Sequence, residues 1–374
     1  MRYLIFVPEA GGHHLEYTNH LVALAERNTE NEYIFCVHST IKNNQDFLLY
    51  GYKVANIKVY EILKIELPTS KGYFRHSYEL CKLLKTKARM YKAEKIFLIM
   101  IMPFSPFIFL PIWGGLKISG IVYKIYLYGW KRSSFIHKVY DVVRFWLATK
   151  CKHIEKIFIL NDELASKIFN RKYRSDKFIY IVDPYFPIAE KVNNQDLYTI
   201  CNEKKIISHI GVLKERKGTY EILKAINKET TNLFKDNVFI FAGKPENEER
   251  FRQELNRAKE YAQIIFYNGF LPFNEIGNIV KNSYCLLLPY HNTDQSSGMI
   301  GYAAQYGIPV VVPKENLLKK LVLKYKLGYF LRGKSSKDIV CFFKENKDLK
   351  NTGDNLYCTC NNIDNFIKII NNNI

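Results

Sequence analysis

Short, continuous apolar runs alternate with stretches of helical period along most of the chain. In the first half, Tyr3–Val7, Tyr33–Val37, Val54–Val59, Lys95–Ile101, Val122–Tyr128, Lys156–Leu160 and Phe178–Val182 read as strands. Between them, His14 to Arg27 places Leu15, Leu21, Val22 and Leu24 at helical spacing, and Ser134 to Lys150 does the same with Phe135, Val139, Val142, Phe145 and Trp146. Asn161 or Asp162 is suited to cap a helix that opens at Glu163. Strands without polar alternation, separated by helices, predict an α/β architecture with a mostly parallel sheet.

The segment Asp183-Pro184-Tyr185-Phe186-Pro187 breaks the pattern, and a polar stretch from Glu190 to Lys204 follows. The alternation then restarts. Strands are expected at Lys205–Ile210, Asn237–Ala242, Ile264–Tyr267, Cys285–Leu288 and Val310–Val312. Helices are expected at Thr219–Lys228, Glu246–Tyr261, Met299–Tyr306 and from Phe273. Near the end, Ile363, Phe366, Ile367 and Ile370 recur at i, i+3, i+4 and i+7. The expected organisation is a first domain over 1–188, a second over 189–350, and a helical tail over 351–374 that packs back on the first. Both domains read as doubly wound, with ligands expected at the carboxyl ends of the strands.

At 374 residues, with 48% apolar and 24% charged types, the chain can bury a substantial core. Lys and Arg total 55 against 36 acids, a formal net charge of +19. The densest basic stretch runs from Lys71 to Lys95, with eight basic and two acidic residues. It suits a solvated helix face, an anionic membrane surface or a polyphosphate substrate. No zinc-finger, KH or RNA-recognition pattern accompanies it, which argues against nucleic acid. Ile96 to Leu116 carries no charge over 21 residues, but Pro103, Pro106, Pro111 and Gly114-Gly115 would break a lipid-facing helix. A buried strand, a turn and a short helix fit better. Phe104, Phe107, Phe109 and Trp113 would also suit an element dipping into a membrane interface. The eight cysteines show no zinc spacing and read as small apolar residues of a reducing compartment. The apolar run before Pro8 and Glu9 is too short for a secretory leader, so a cytoplasmic location is expected, with a peripheral contact at the inner face of the plasma membrane.

Three strand-to-helix loops hold the candidate chemistry. Gly211-Val212-Leu213-Lys214-Glu215-Arg216-Lys217-Gly218 is neither a phosphate loop of the Walker type nor a dinucleotide fingerprint. Its glycines permit a tight turn, and Arg216 and Lys217 place cations at a helix start, where a diphosphate can be held; a solvated basic turn is the alternative. Asp294-Gln295-Ser296-Ser297-Gly298-Met299 offers backbone N–H groups at Ser297, Gly298 and Met299, or merely an N-cap. Glu9-Ala10-Gly11-Gly12-His13-His14-Leu15-Glu16 sets titratable groups beside glycines that let a substrate approach. Adjacent His13 and His14 cannot face the same way, and His13 is expected to face the ligand; a metal is not expected there.

These residues resemble a GT-B glycosyltransferase, in particular the retaining group often called glycosyltransferase group 1. The resemblance rests on Gly211 with Lys217-Gly218, on Phe241-Ala242-Gly243, on Ile265 to Leu271, on Leu288-Pro289-Tyr290, and on Ser297-Gly298-Met299 with Gly307-Ile308-Pro309. It implies two Rossmann-like domains facing across a cleft. The implied substrates are a UDP- or GDP-linked sugar donor and a glycan or lipid-linked glycan acceptor of cell-surface polysaccharide synthesis, with no cofactor and no metal. Lys217 matches the family's diphosphate-binding lysine, whereas Val212 stands at its arginine position and Arg216 is a substitute. Asn268, Gly269 and Leu271 match the turn that frames the base, and Gly12 belongs to the acceptor-side glycine loop. The family's two glutamates, eight residues apart, are matched to Gln295 and Ala303. The candidate catalytic residues are therefore His13, Glu16, Lys217 and Gln295, with Glu16 as the base if the reaction inverts. The alternatives are a sugar-nucleotide epimerase and a non-catalytic nucleotide-binding domain that kept the fold.

Overall fold

Runs of β-branched and aromatic residues, apolar on both faces, can only be covered from both sides, and the computed structural model places them in two parallel sheets. It describes residues 1–11, 13–131, 133–187, 204–228, 233–350 and 356–374. The chain divides into two units, Met1–Asp183 with Ile363–Ile374, and Pro184–Asn362.

In the first unit, β1 (Arg2–Val7), β2 (Glu32–His38), β3 (Ile57–Ile62), β4 (Lys95–Leu98), β5 (Lys117–Val122), β6 (Ile154–Leu160) and β7 (Phe178–Ile181) pair in the order β3-β2-β1-β4-β5-β6-β7. The order reverses between β1 and β4, which opens a crevice at their carboxyl ends. Helix α1 (His14–Arg27) follows β1, α2 (Tyr73–Met90) precedes β4, α3 (Phe135–Lys150) precedes β6, and α4 (Glu163–Tyr173) precedes β7. Asp162 caps α4, its carboxylate accepting from the Ala165 N–H at 3.0 Å.

The second unit repeats the plan. Strands β8 (Lys205–Ile210), β9 (Asn237–Ala242), β10 (Gln263–Tyr267), β11 (Cys285–Leu287), β12 (Val310–Pro313) and β13 (Gly328–Leu331) pair as β10-β9-β8-β11-β12-β13. Its helices are α5 (Thr219–Asn227), α6 (Glu248–Ala258), α7 (Phe273–Lys281), α8 (Gly298–Gln305), α9 (Asn316–Tyr325), α10 (Ser336–Glu345) and α11 (Leu356–Cys360). Here the switch lies between β8 and β11. The last helix, α12 (Ile363–Asn371), belongs to the first unit: Phe366 is fully buried against Tyr17 and His20, and Asp364 pairs with Arg27 at 2.5 Å.

Several boundaries differ from the sequence expectation. The fifth strand is Lys117–Val122 rather than Val122–Tyr128. Gly120 lets it press on β4, since a Cβ there would lie 2.9 Å from the Leu98 carbonyl oxygen. Tyr126–Gly129 instead forms one helical turn, with Tyr126 stacked on Phe169 and bonded to the Tyr173 hydroxyl. The strand expected at Val54–Val59 runs from Ile57 to Ile62. Helix α6 starts two residues late because Asn247 caps it, accepting from the Arg250 N–H. The uncharged segment after β4 turns twice, at Met102–Phe104 and Phe107–Phe109. Phe104, Phe109 and Trp113 are buried there rather than offered to a membrane. None of the described helices is long and apolar enough to cross a membrane. Within the basic stretch, Lys87 is buried on α2 and paired with Glu66 at 2.5 Å, while Lys82 and Arg89 remain exposed.

Candidate functional site

In the second unit, the carboxyl ends of β8 and β11 bring two of the predicted loops together. The Gly211 N–H donates to the Ala242 carbonyl at 2.8 Å, and Gly243 passes so close that a Cβ on it would fall 1.9 Å from the Gly211 oxygen. The loop then tightens through a 3-10 turn at Glu215–Lys217 and leaves by Gly218, whose φ is +73°. A Cβ on Gly218 would lie 2.2 Å from the Pro289 oxygen, so the loop lies directly on the Pro289–His291 segment. The His291 N–H donates to the Arg216 carbonyl at 3.0 Å.

Beneath this loop, buried His209 ties three pieces of backbone together. Its Nδ1 lies 2.9 Å from the Leu287 carbonyl, which can only accept, so Nδ1 carries the proton. Its Nε2 therefore accepts from the Thr219 hydroxyl at 2.9 Å, while Thr219 Oγ1 accepts from the Lys214 N–H at 3.0 Å. Burial pushes the imidazole pKa down to about 4, so the ring is neutral and structural.

Lys217 sits above it, partly buried, with Nζ 3.7 Å from the centroid of the Tyr290 ring. Burial lowers its pKa; Tyr290 opposes the shift, and the nearby Arg216 and Lys214 cations add to it. Among the described residues no carboxylate pairs with this ammonium. Tyr290 continues to Ser297, whose Oγ lies 3.2 Å from the phenol oxygen. Ser297 thus stands at the N-cap of α8 without capping it by its side chain, and the Ile300 N–H closes the first turn on the Ser297 carbonyl at 2.9 Å. Gly298 and Met299 open that helix and are partly buried, as is Gln295 in the preceding loop. Ala303 is buried in α8. The turn after β10 is more open: Gly269 has φ +114°, Leu271 is partly buried, and Asn268 Nδ2 lies 3.4 Å from Glu248.

Glu215, Glu221 and His291 lie close enough for their ligand atoms to fall within 4.8 Å of one another. The set suits a divalent cation in type. However, Glu215 already pairs with Arg250 at 3.0 Å, and Glu221 pairs with Lys224 at 3.0 Å and accepts from the Ser336 N–H. Both carboxylates thus already carry a cationic partner.

In the first unit, the Glu9–Glu16 loop follows β1 at the switch point; Gly12 lies outside the described residues. The two histidines diverge. The His13 side chain is 43% exposed, with Nδ1 3.5 Å from Glu16 and its ring stacked on Tyr123 at 6.4 Å. The His14 side chain is 11% exposed and turns to Glu9 at 3.5 Å. Burial raises the Glu16 pKa, Asp183 adds to the rise, and His13 pulls the other way. A carboxylate tuned upward is a better proton acceptor near neutrality. Beside it, the buried Tyr17 hydroxyl donates to Asp183 at 2.5 Å, and the Tyr17 and Tyr123 rings meet at 5.2 Å. Asp183 and both tyrosines escape sequence reasoning, because Asp183 reads as boundary punctuation before Pro184.

Residues 193–348 match the family model described as glycosyl transferases group 1. No curated protein sequence matches the chain. Among solved structures, WaaG, titled a glycosyltransferase involved in lipopolysaccharide biosynthesis, is 11% identical, with 99% of this chain and 95% of that one covered and a TM-score of 0.65. HepE of Anabaena, solved with UDP and glucose, is 12% identical, with coverage of 99% and 95% and a TM-score of 0.65. UDP-GlcNAc 2-epimerase from Neisseria meningitidis, solved with UDP-GlcNAc, is 13% identical, with coverage of 100% and 99% and a TM-score of 0.66. At these identities the likeness speaks for the backbone, and it runs through both units: the fold is GT-B-like.

Proposed function

We propose that this chain acts on a nucleotide sugar and transfers its sugar from a UDP- or GDP-linked donor to a hydroxyl acceptor, a glycan or lipid-linked glycan of cell-surface polysaccharide synthesis. One observation carries the reading. At the switch point of the second sheet, Lys217, with no carboxylate partner among the described residues, rests on Tyr290 beside a helix start whose N-cap residue, Ser297, does not cap it by its side chain. A diphosphate supplies the counter-charge this arrangement lacks. As the sugar leaves, negative charge grows on the diphosphate, and Lys217, Arg216 and the first amides of α8 stabilise it. One such contact is worth about 3 kcal/mol, or roughly a hundredfold in rate. Asn268, Gly269 and Leu271 frame the base, and Gln295 hydrogen-bonds the sugar. The family resemblance favours retention of the anomeric configuration. Were the product inverted instead, Glu16 of the first unit, beside His13, would take the proton of the acceptor hydroxyl.

Calorimetric titration with UDP- and GDP-sugars, followed by mass spectrometry and NMR of the products, tests this. The expected result is saturable donor binding, transfer to an added glycan acceptor, and a rate loss of about a hundredfold in Lys217→Ala. Binding with isomerised nucleotide sugar and no transfer would convert the reading to an epimerase. Absence of donor binding, or a Lys217→Ala variant with wild-type rates, would end it.

A further inference from the structure

Helix α3 is packed with its polarity reversed. Phe145 and Ala148 anchor it to the first unit, but the side chains beside them on that face are Asp141 and Arg144, partly buried and paired at 2.6 Å. The opposite face shows Phe135 at 79% exposure, Ile136 at 78%, and Val139, Val143 and Trp146 between 44% and 48%. An ordinary surface helix turns such a stripe inward. Phe135, Ile136, Val139, Tyr140 and Val143 line a shallow groove of about 380 Å³. The patch extends onto α2, where exposed Tyr73 and Phe74 meet the Tyr140 ring edge-on at 6.4 and 6.1 Å. An apolar face this continuous marks an interaction surface.

Its surroundings are basic. From Lys124 to Lys152 the sequence holds seven Lys and Arg and a single acid, Asp141, which is already held by Arg144. Lys131 and Lys150 are exposed, Lys71 stands exposed ahead of α2, and the Lys138 ammonium lies over Trp130 at 5.5 Å. A two-fold interface between copies would set these cations against one another. A surface of negative headgroups over an apolar interior complements both features, and Trp130 and Trp146 suit the boundary between them.

We propose that the exposed face of α3, with Tyr73 and Phe74, is a docking surface for an anionic lipid bilayer. The apolar stripe enters the headgroup boundary and the flanking lysines meet lipid phosphates. Nothing in this rests on the donor chemistry of the second unit. The site differs from the one expected on the segment after β4, whose aromatic residues are largely buried.

Flotation of the full chain with phosphatidylcholine vesicles, and with vesicles enriched in phosphatidylglycerol, tests it. The wild type should float with the anionic vesicles, less so in high salt, and remain behind with the neutral ones. Combining Phe135→Ser with Ile136→Ser should lower the bound fraction at least about tenfold with an unchanged melting temperature, since both side chains are exposed. Combining Lys131→Glu with Lys138→Glu should do the same by charge alone. Equal recovery from both vesicle types, no flotation at all, or unimpaired flotation of the serine variant would overturn the proposal. So would light scattering that finds a dimer which the serine variant dissociates, because the face would then belong to a second copy.

Discussion

The neutral imidazole of His209 makes the candidate phosphate loop sensitive to acid. The perturbation is pH alone. The folded pKa is about 4 and the ordinary value 6.5, so between them the unfolded chain binds a proton that the folded chain refuses. Stability therefore rises with pH across that window: the contribution is fully present above 6.5, is lost as pH falls, and is exhausted below about 4. The full difference is about 3 kcal/mol, and at about pH 5 roughly 2 kcal/mol has gone. The lost contacts are specific. A protonated ring no longer accepts from Thr219, whose oxygen also receives the Lys214 N–H at the start of the loop that carries Lys217. Urea unfolding of wild type and His209→Gln at about pH 7.5 and about pH 5 is the assay. The buried His153 also has a lowered pKa, so both proteins lose stability to it, and the difference between them isolates His209. The wild type should lose about 2 kcal/mol more than the variant between the two conditions. Parallel losses would refute the reasoning and show that His209 does not titrate with folding.

Two further outcomes follow from the same loops. Gly218→Ala forces a side chain onto the Pro289 oxygen at a φ of +73°, so donor affinity in calorimetry and the melting temperature should both fall, with a stability cost of about 2 kcal/mol. His13→Ala should lower kcat and kcat/KM together, by about tenfold or more, whereas His14→Ala, which removes a partner of Glu9, should chiefly lower stability. Equal kinetic losses in the two variants would show that neither imidazole serves the reaction.

The sheets were legible because their strands are apolar on both faces, and most expected segments match an observed strand closely. Lys117–Val122 was not, because Ser119 and Gly120 break the apolar run just where the strand packs most tightly on β4. Helix α9, just after Val312, is missed by the sequence expectation, although Leu317, Leu318, Leu321, Val322 and Tyr325, its buried side, recur at helical spacing. For α3, the period predicted a helix correctly and left open which side faces solvent. A hydrophobic stripe is ordinarily taken as the core side. Here the paired Asp141 and Arg144 face inward, and the stripe is left outside.

The candidate site shows where residue type stops being informative. Lys217 and Arg216 can be picked out by charge, but the same two cations in a solvated turn would bind nothing in particular. What separates the readings is burial: the loop is pinned on Pro289 by Gly218 and held from below by His209, and the partly buried Lys217 lies over the Tyr290 ring. Tyr290 is distant in sequence and arrives only because β8 and β11 are neighbours in the sheet. Its hydroxyl also meets the Oγ of Ser297, which stands at the N-cap of α8 without capping it by its side chain. One tyrosine thus sets both the cation and the helix start toward the same kind of ligand. Strand order, which no single loop encodes, brings a basic turn and an N-cap together at the site proposed for a diphosphate.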